Sequence, residues 1–208
     1  MDDHSGVPGS DLTSRLWWIG LDAWVIQDGN YTDVAVGERR QFALELGYRR
    51  AARLVVPPEH ERTPRCAHTG RGTSYDVVGE VLRTAPGPGE EAFVLDVGLM
   101  ASTQWLVLDD LEPPAAGTWL AGTIHLSVDP FFYMDELHAL PGMPSLIYTW
   151  TVERVQRELT RETWADVDGT RAGEEDASYR LGCRLEAVAP VSTMEASGDR
   201  SPYGPLPG

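Results

Sequence analysis

The chain has 208 residues, 42% hydrophobic and 24% charged, with 21 Gly and 15 Pro, a composition that suits a soluble globular protein of many short strands and turns. Its 32 acidic and 17 basic residues leave a net charge of -15, and every basic residue is Arg. Such a field disfavours nucleic acid and anionic membranes, and the lack of Lys excludes Schiff-base lysine chemistry and a Walker-type phosphate lysine.

Residues 1–12 are acidic and polar and lack the apolar stretch of a secretory signal. A disordered tail and a cytoplasmic location are therefore expected, and with them reduced thiols at Cys66 and Cys183. Leu16 to Ile26 is dense in apolar and aromatic residues on both alternating faces, so it reads as a strand covered on both sides, with Trp24 buried. Asp28-Gly29 is a hairpin-turn pair. Beyond it Arg40 to Leu46 alternates, with Phe42, Leu44 and Leu46 on one face. This hairpin is the expected nucleus of the sheet. Ala51 to Val56 reads as a third strand, ended by Pro57-Pro58 because Pro cannot donate to a ladder. Residues 59–73 have no periodicity and read as a long loop.

Tyr75 to Arg83 and Ala92 to Met100 form a second hairpin across the Pro86–Gly89 turn. Gln104 to Leu108 is a further short strand. Gly117 to Val128 is a long one, and it echoes Gly37 to Leu46. Residues 129–145 break the pattern, with a helical turn or two at Met134 to Leu140. Leu146 to Val155 places Tyr148, Trp150 and Val152 on one face, with Trp150 expected in the core. Gln156 to Trp164 suits a strand or a short helix equally. Ser178 to Ala189 closes the sheet, and Ser, Gly and Pro dominate from Val191 onward. These nine or ten strands predict a mainly β protein, an antiparallel β-barrel or sandwich with short helical turns in long loops. One domain over residues 13–190 lies between tails at 1–12 and 191–208. A pseudo-repeat of two sub-barrels with a boundary near 58–74 is the alternative.

Three groups of residues have spacing that bears on chemistry. His60, Cys66 and His68 sit in one loop, but a structural zinc site needs four ligands and Arg62, Arg65 and Arg71 repel a cation, so neither metal nor cofactor is expected. Asp129, Asp135 and His138 lie near Phe131 and Phe132. In a helical turn Asp135 would orient His138 for general base work, which is the basis of a small-enzyme reading. The competing reading has the Phe pair plugging a barrel end. Asp166 and Asp168 lack the spacing of a calcium loop.

Charge partition points elsewhere. Residues 38–71 carry eight Arg and four Glu, leaving -19 for the rest of the chain. Asp109, Asp110, Glu112, Asp135, Glu136, Glu174, Glu175 and Asp176 concentrate at turns. If those turns share a rim they form an acidic patch suited to a basic protein partner. The functional expectation is a non-catalytic acidic binding protein engaged in a protein–protein interaction, of inhibitor or immunity type, with the small enzyme as the alternative. An Arg-lined anion or nucleic-acid site within 39–71 ranks third.

Overall fold

A computed structural model describes residues 12–28, 31–47, 54–86, 91–105, 114–130, 132–160, 163–174 and 177–191. In chain order the elements are β1 (Leu16–Asp22), α1 (Ala23–Gln27), β2 (Arg39–Gly47), β3 (Arg65–His68), β4 (Ser74–Pro86) and β5 (Glu91–Asp96). There follow β6 (Met100–Trp105), β7 (Trp119–Val128), β8 (Ile147–Thr160), β9 (Thr163–Val167) and β10 (Ser178–Leu185). Among the described residues helix is confined to α1 and single turns at Glu59–Glu61 and Tyr133–Leu137.

Hydrogen bonding closes eight strands into a barrel in the order β4, β5, β6, β2, β8, β10, β1, β7 and back to β4. The expected barrel is present, but it is mixed rather than purely antiparallel. β1 runs parallel to β7 at Gly20↔Ser127, and β2 runs parallel to β6 at Glu45↔Ser102. Strands β3 and β9 are flaps paired on β4 and β8. β2 and β7 also pair directly, from Leu44↔Val128 to Gly47↔His125.

The pairing scheme repeats about that seam. β2 is flanked by β8 antiparallel and β6 parallel, and β7 by β4 antiparallel and β1 parallel. Accordingly β4–β5–β6 closes one side as β8–β10–β1 closes the other. The entry turns match too. Gly37 and Gly117 both take positive φ, 90° and 85°, where a side chain would be strained. Gly37 N–H donates to Val152 O at 2.8 Å and Gly117 N–H to Val81 O at 2.7 Å. The echo between Gly37–Leu46 and Gly117–Val128 thus falls on the two strands that meet at the seam.

Several local expectations are corrected. The opening hairpin does not form, because β1 pairs with β10 and β7 while β2 pairs with β8, β7 and β6. Nor is Leu16–Ile26 a strand covered on both faces. Trp17, Ile19 and Leu21 point inward and Trp18, Gly20 and Asp22 outward, and the chain becomes helical at Ala23. Trp24 is consequently 50% exposed, against the expected burial. In the third predicted strand, residues 51–53 lie outside the described residues and Val55 makes a single bridge to Ala121. The loop at 59–73 contains β3, and Ala92–Met100 divides at Gly98 into β5 and the start of β6. The ambiguous Gln156–Trp164 stretch is strand, split between β8 and β9.

Inward residues of all eight wall strands build one interior core. Trp150 is fully buried at its centre, stacked on Phe42 (5.5 Å, 12°) and edge-on to Trp17 (6.3 Å). The interior is therefore packed side chain rather than a lumen, as expected of an eight-stranded barrel. A second cluster lies on the outer surface. There Phe132, Tyr133, Leu137 and Leu146 cover Ala43, Ala85, Ala92 and Val94 on β2, β4 and β5. Phe132 covers the flank of the barrel in this way; Phe131 lies outside the described residues. Among the described residues no helix is long and apolar enough to cross a membrane.

Candidate functional site

With the interior filled, the concave surface lies outside the wall. Strand register places Asp166, Gln156, Arg180, Gly20, Ser127 and Glu45 in one row across β9, β8, β10, β1, β7 and β2. Side chains link the first three. Gln156 Nε2 donates to Asp166 Oδ1 at 2.8 Å, and Arg180 Nε donates to Gln156 Oε1 at 2.7 Å. The Arg180 guanidinium lies 4.4 Å from the Trp18 ring and 4.7 Å from the Trp164 ring, and its Nη1 donates to Gly72 O at 3.3 Å. Burial lowers its pKa, with Arg154 adding to the effect and Asp166 opposing it. Arg180 is thus fixed as part of the wall.

The row breaks at Gly20, which has no side chain, and resumes at Ser127, which hydrogen-bonds to Glu45. Above this notch opens a cleft of about 1160 Å³. α1 contributes Trp24, β9 contributes Trp164, and the β3–β4 turn contributes Thr69 to Ser74. That turn is shaped by His68, whose Nε2 donates to Gly72 O at 3.1 Å while Nδ1 accepts the Gly70 N–H at 3.2 Å. Ser74 Oγ meets His125 Nδ1 at 3.0 Å on the cleft floor.

Among the described residues, carboxylates outnumber guanidinium groups in the lining: Asp22, Glu45 and Glu158 against Arg71 and Arg180. Burial raises the Glu45 pKa above the ordinary carboxylate range; the Ser127 hydrogen bond opposes the shift and the nearby Asp22 charge adds to it. Asp22 precedes α1 but does not cap it, and its carboxylate accepts the Ser178 hydroxyl at 2.9 Å. A half-desolvated carboxyl beside a second acid is a strong attractor for a cation. The same arrangement can also hold or release a proton.

The described sequence-derived candidates, Arg71 excepted, lie outside the cleft lining. Asp129 is 2% exposed, and its carboxylate accepts the Tyr133 N–H at 3.0 and 3.2 Å, fixing the helical turn. Asp135, Glu136 and His138 are exposed on that turn, away from the cleft lining. Glu174 sits 3.1 Å from Arg157 Nε and accepts the Tyr179 hydroxyl at 3.0 Å. Asp109, Asp110, Glu112, Glu175 and Asp176 lie outside the described residues. Within the basic segment, Arg39 pairs with Glu186 and the buried Arg40 with Glu38, while Arg71 reaches the cleft. His60 is on the surface and Cys66 in the core, where burial pushes its thiol up to about 12. Among the described residues no three His, Cys, Asp or Glu side chains group so as to hold a metal.

Sequence reading missed Gly20, Asp22, Trp24 and Glu45 as site residues. One signal was present. An isolated Gly within an otherwise bulky strand marks a place where another chain or a ligand comes close.

The fold and cleft define a closed mixed β-barrel with an external, carboxylate-floored groove. No protein-family model, curated protein or solved structure matches the chain.

Proposed function

We propose that the protein is a non-catalytic binding module that docks a basic protein partner by receiving a cationic side chain in the Glu45 cleft. The observation that carries this reading is Glu45 itself, a carboxyl held partly out of water next to Asp22. Desolvating an acid disfavours its ionised form, and an incoming cation restores that form. The -19 balance outside residues 38–71 supplies long-range attraction. Charge of that kind raises association rates by ~10- to 1,000-fold at low ionic strength. The expected acidic contact is thereby moved from the turns to the cleft, with the turn acids steering the approach.

Fluorescence anisotropy with labelled basic and acidic peptides tests the reading. Basic peptides should bind at low salt, weaken as salt rises, and weaken further with Asp22→Asn/Glu45→Gln. Acidic peptides should not bind. Binding of basic peptides that ignores the double substitution would remove the cleft from the proposal.

A further inference from the structure

We infer that the side chain read by the cleft is an arginine, its guanidinium stacked on Trp24 and held by Glu45 and Asp22 over the Gly20 notch. The inference rests on the binding reading above and specifies its ligand.

The chain itself repeatedly places guanidinium groups on indoles. Arg15 lies 3.4 Å from the Trp17 ring, Arg154 5.6 Å from Trp18, and Arg180 4.4 and 4.7 Å from Trp18 and Trp164. Oxygen acceptors complete each arrangement: Cys66 O for Arg15, Asp166 for Arg154, and Gln156 and Gly72 O for Arg180. Trp24 has the other half of such a pair. It is half exposed, lines the cleft beside Asp22, and carries no guanidinium of its own among the described residues. Glu45 and Asp22 are close enough for their charges to interact, and two such carboxyl groups suit a planar fork with five N–H donors. A compact ammonium is more strongly hydrated and gains less from an indole face.

Gly20 gives this ligand its room. A Cβ built there would touch Leu126 O at 3.5 Å and Ser127 Cβ at 3.6 Å, ordinary contact distances, and the backbone does not lie in the left-handed region. A Cβ therefore fits at this position at ordinary contact distances, and a β-branched residue there tests the room that Gly20 leaves. Arg71 lines the same cleft from the exposed turn. As a like charge it opposes the incoming guanidinium, so its removal should tighten binding.

The test uses the full chain and three peptides identical except for one central residue: Arg, Lys or citrulline. Isothermal titration at low salt should rank Arg about tenfold tighter than Lys, with citrulline, which keeps the shape without the charge, weakest. Trp24→Ala should erase the Arg-over-Lys preference. Gly20→Val should block all three while the circular dichroism spectrum and denaturation midpoint stay near wild type. Arg71→Ala should tighten Arg binding. Equal affinity for Arg and Lys, with both weakened by Glu45→Gln, would overturn the arginine inference and leave cationic docking standing. A preference for Arg that survives Trp24→Ala would also overturn it. Failure of every cationic peptide to bind would remove both readings.

Discussion

The two flanks of the seam are built on one pairing scheme and end in opposite surfaces. On the open flank the outward row from the seam runs Ser127, Gly20, Arg180, Gln156. On the covered flank the equivalent row starts from Glu45 at the seam, which itself lines the cleft, and runs on through Ser102, Val94 and Arg83. Where Gly20 leaves a notch, Ser102 is fully buried, and where Arg180 stands among indoles, Val94 lies under Phe132 and Tyr133. The covering segment follows β7, and it is pinned by Asp129 and by the Tyr133 hydroxyl on Pro144 O at 3.2 Å. The lesson is one of composition. Ala43, Ala85, Ala92 and Val94 on the covered flank give the lid a small apolar surface to pack on, whereas the polar residues around Gly20 line the open cleft.

The largest effect should come from the interior that both flanks share. Trp150→Ala removes the ring stacked on Phe42 and should cost about 3–5 kcal/mol in denaturant unfolding; a loss below about 0.5 kcal/mol would place the ring outside the core. Matched substitutions on the two flanks should differ in cost. Phe132→Ala uncovers the apolar flank and should cost about 3 kcal/mol, whereas Trp24→Ala on the open flank should stay within about 0.5 kcal/mol. Equal losses would mean that the cleft wall is structural. The smallest effect concerns Glu45. Burial raises its folded pKa, so the fold holds that proton better than the unfolded chain does. The resulting stability is present at low pH and lost as pH rises from the unfolded carboxylate range through the raised value. Glu45→Gln should accordingly be more stable than wild type above that window, with no advantage below it. Thermal melts across acid to neutral pH read the difference, and a variant less stable than wild type at neutral pH would contradict it.

Much of the strand content was legible because period-2 alternation reports which side chains face a core, and β2, β4, β7 and β8 carry it plainly. Trp150 was legible for the same reason. Trp24 was not. Density of apolar residues alone does not say where a strand stops, and the turn into α1 at Ala23 is made by contact with Ala177, 154 residues away, whose carbonyl accepts the Ala23 N–H at 2.9 Å. Likewise Asp28-Gly29 carries a local hairpin preference that lost to β10, which pairs with β1 along its whole length.

The candidate site divides on the same line. Charge, the absence of Lys and the isolated Gly20 are properties of the sequence alone, and the net charge is what favours a cationic ligand in the proposal. Which acids act together is a matter of register. Glu45 and Gly20 reach one level because their strands both pair with β7 at Ser127, 82 and 107 residues away in the chain. Asp129 is drawn inward because the backbone of its own turn needs an acceptor. Local pattern fixes the face a side chain takes on its strand, and only long-range pairing decides which strands share that face.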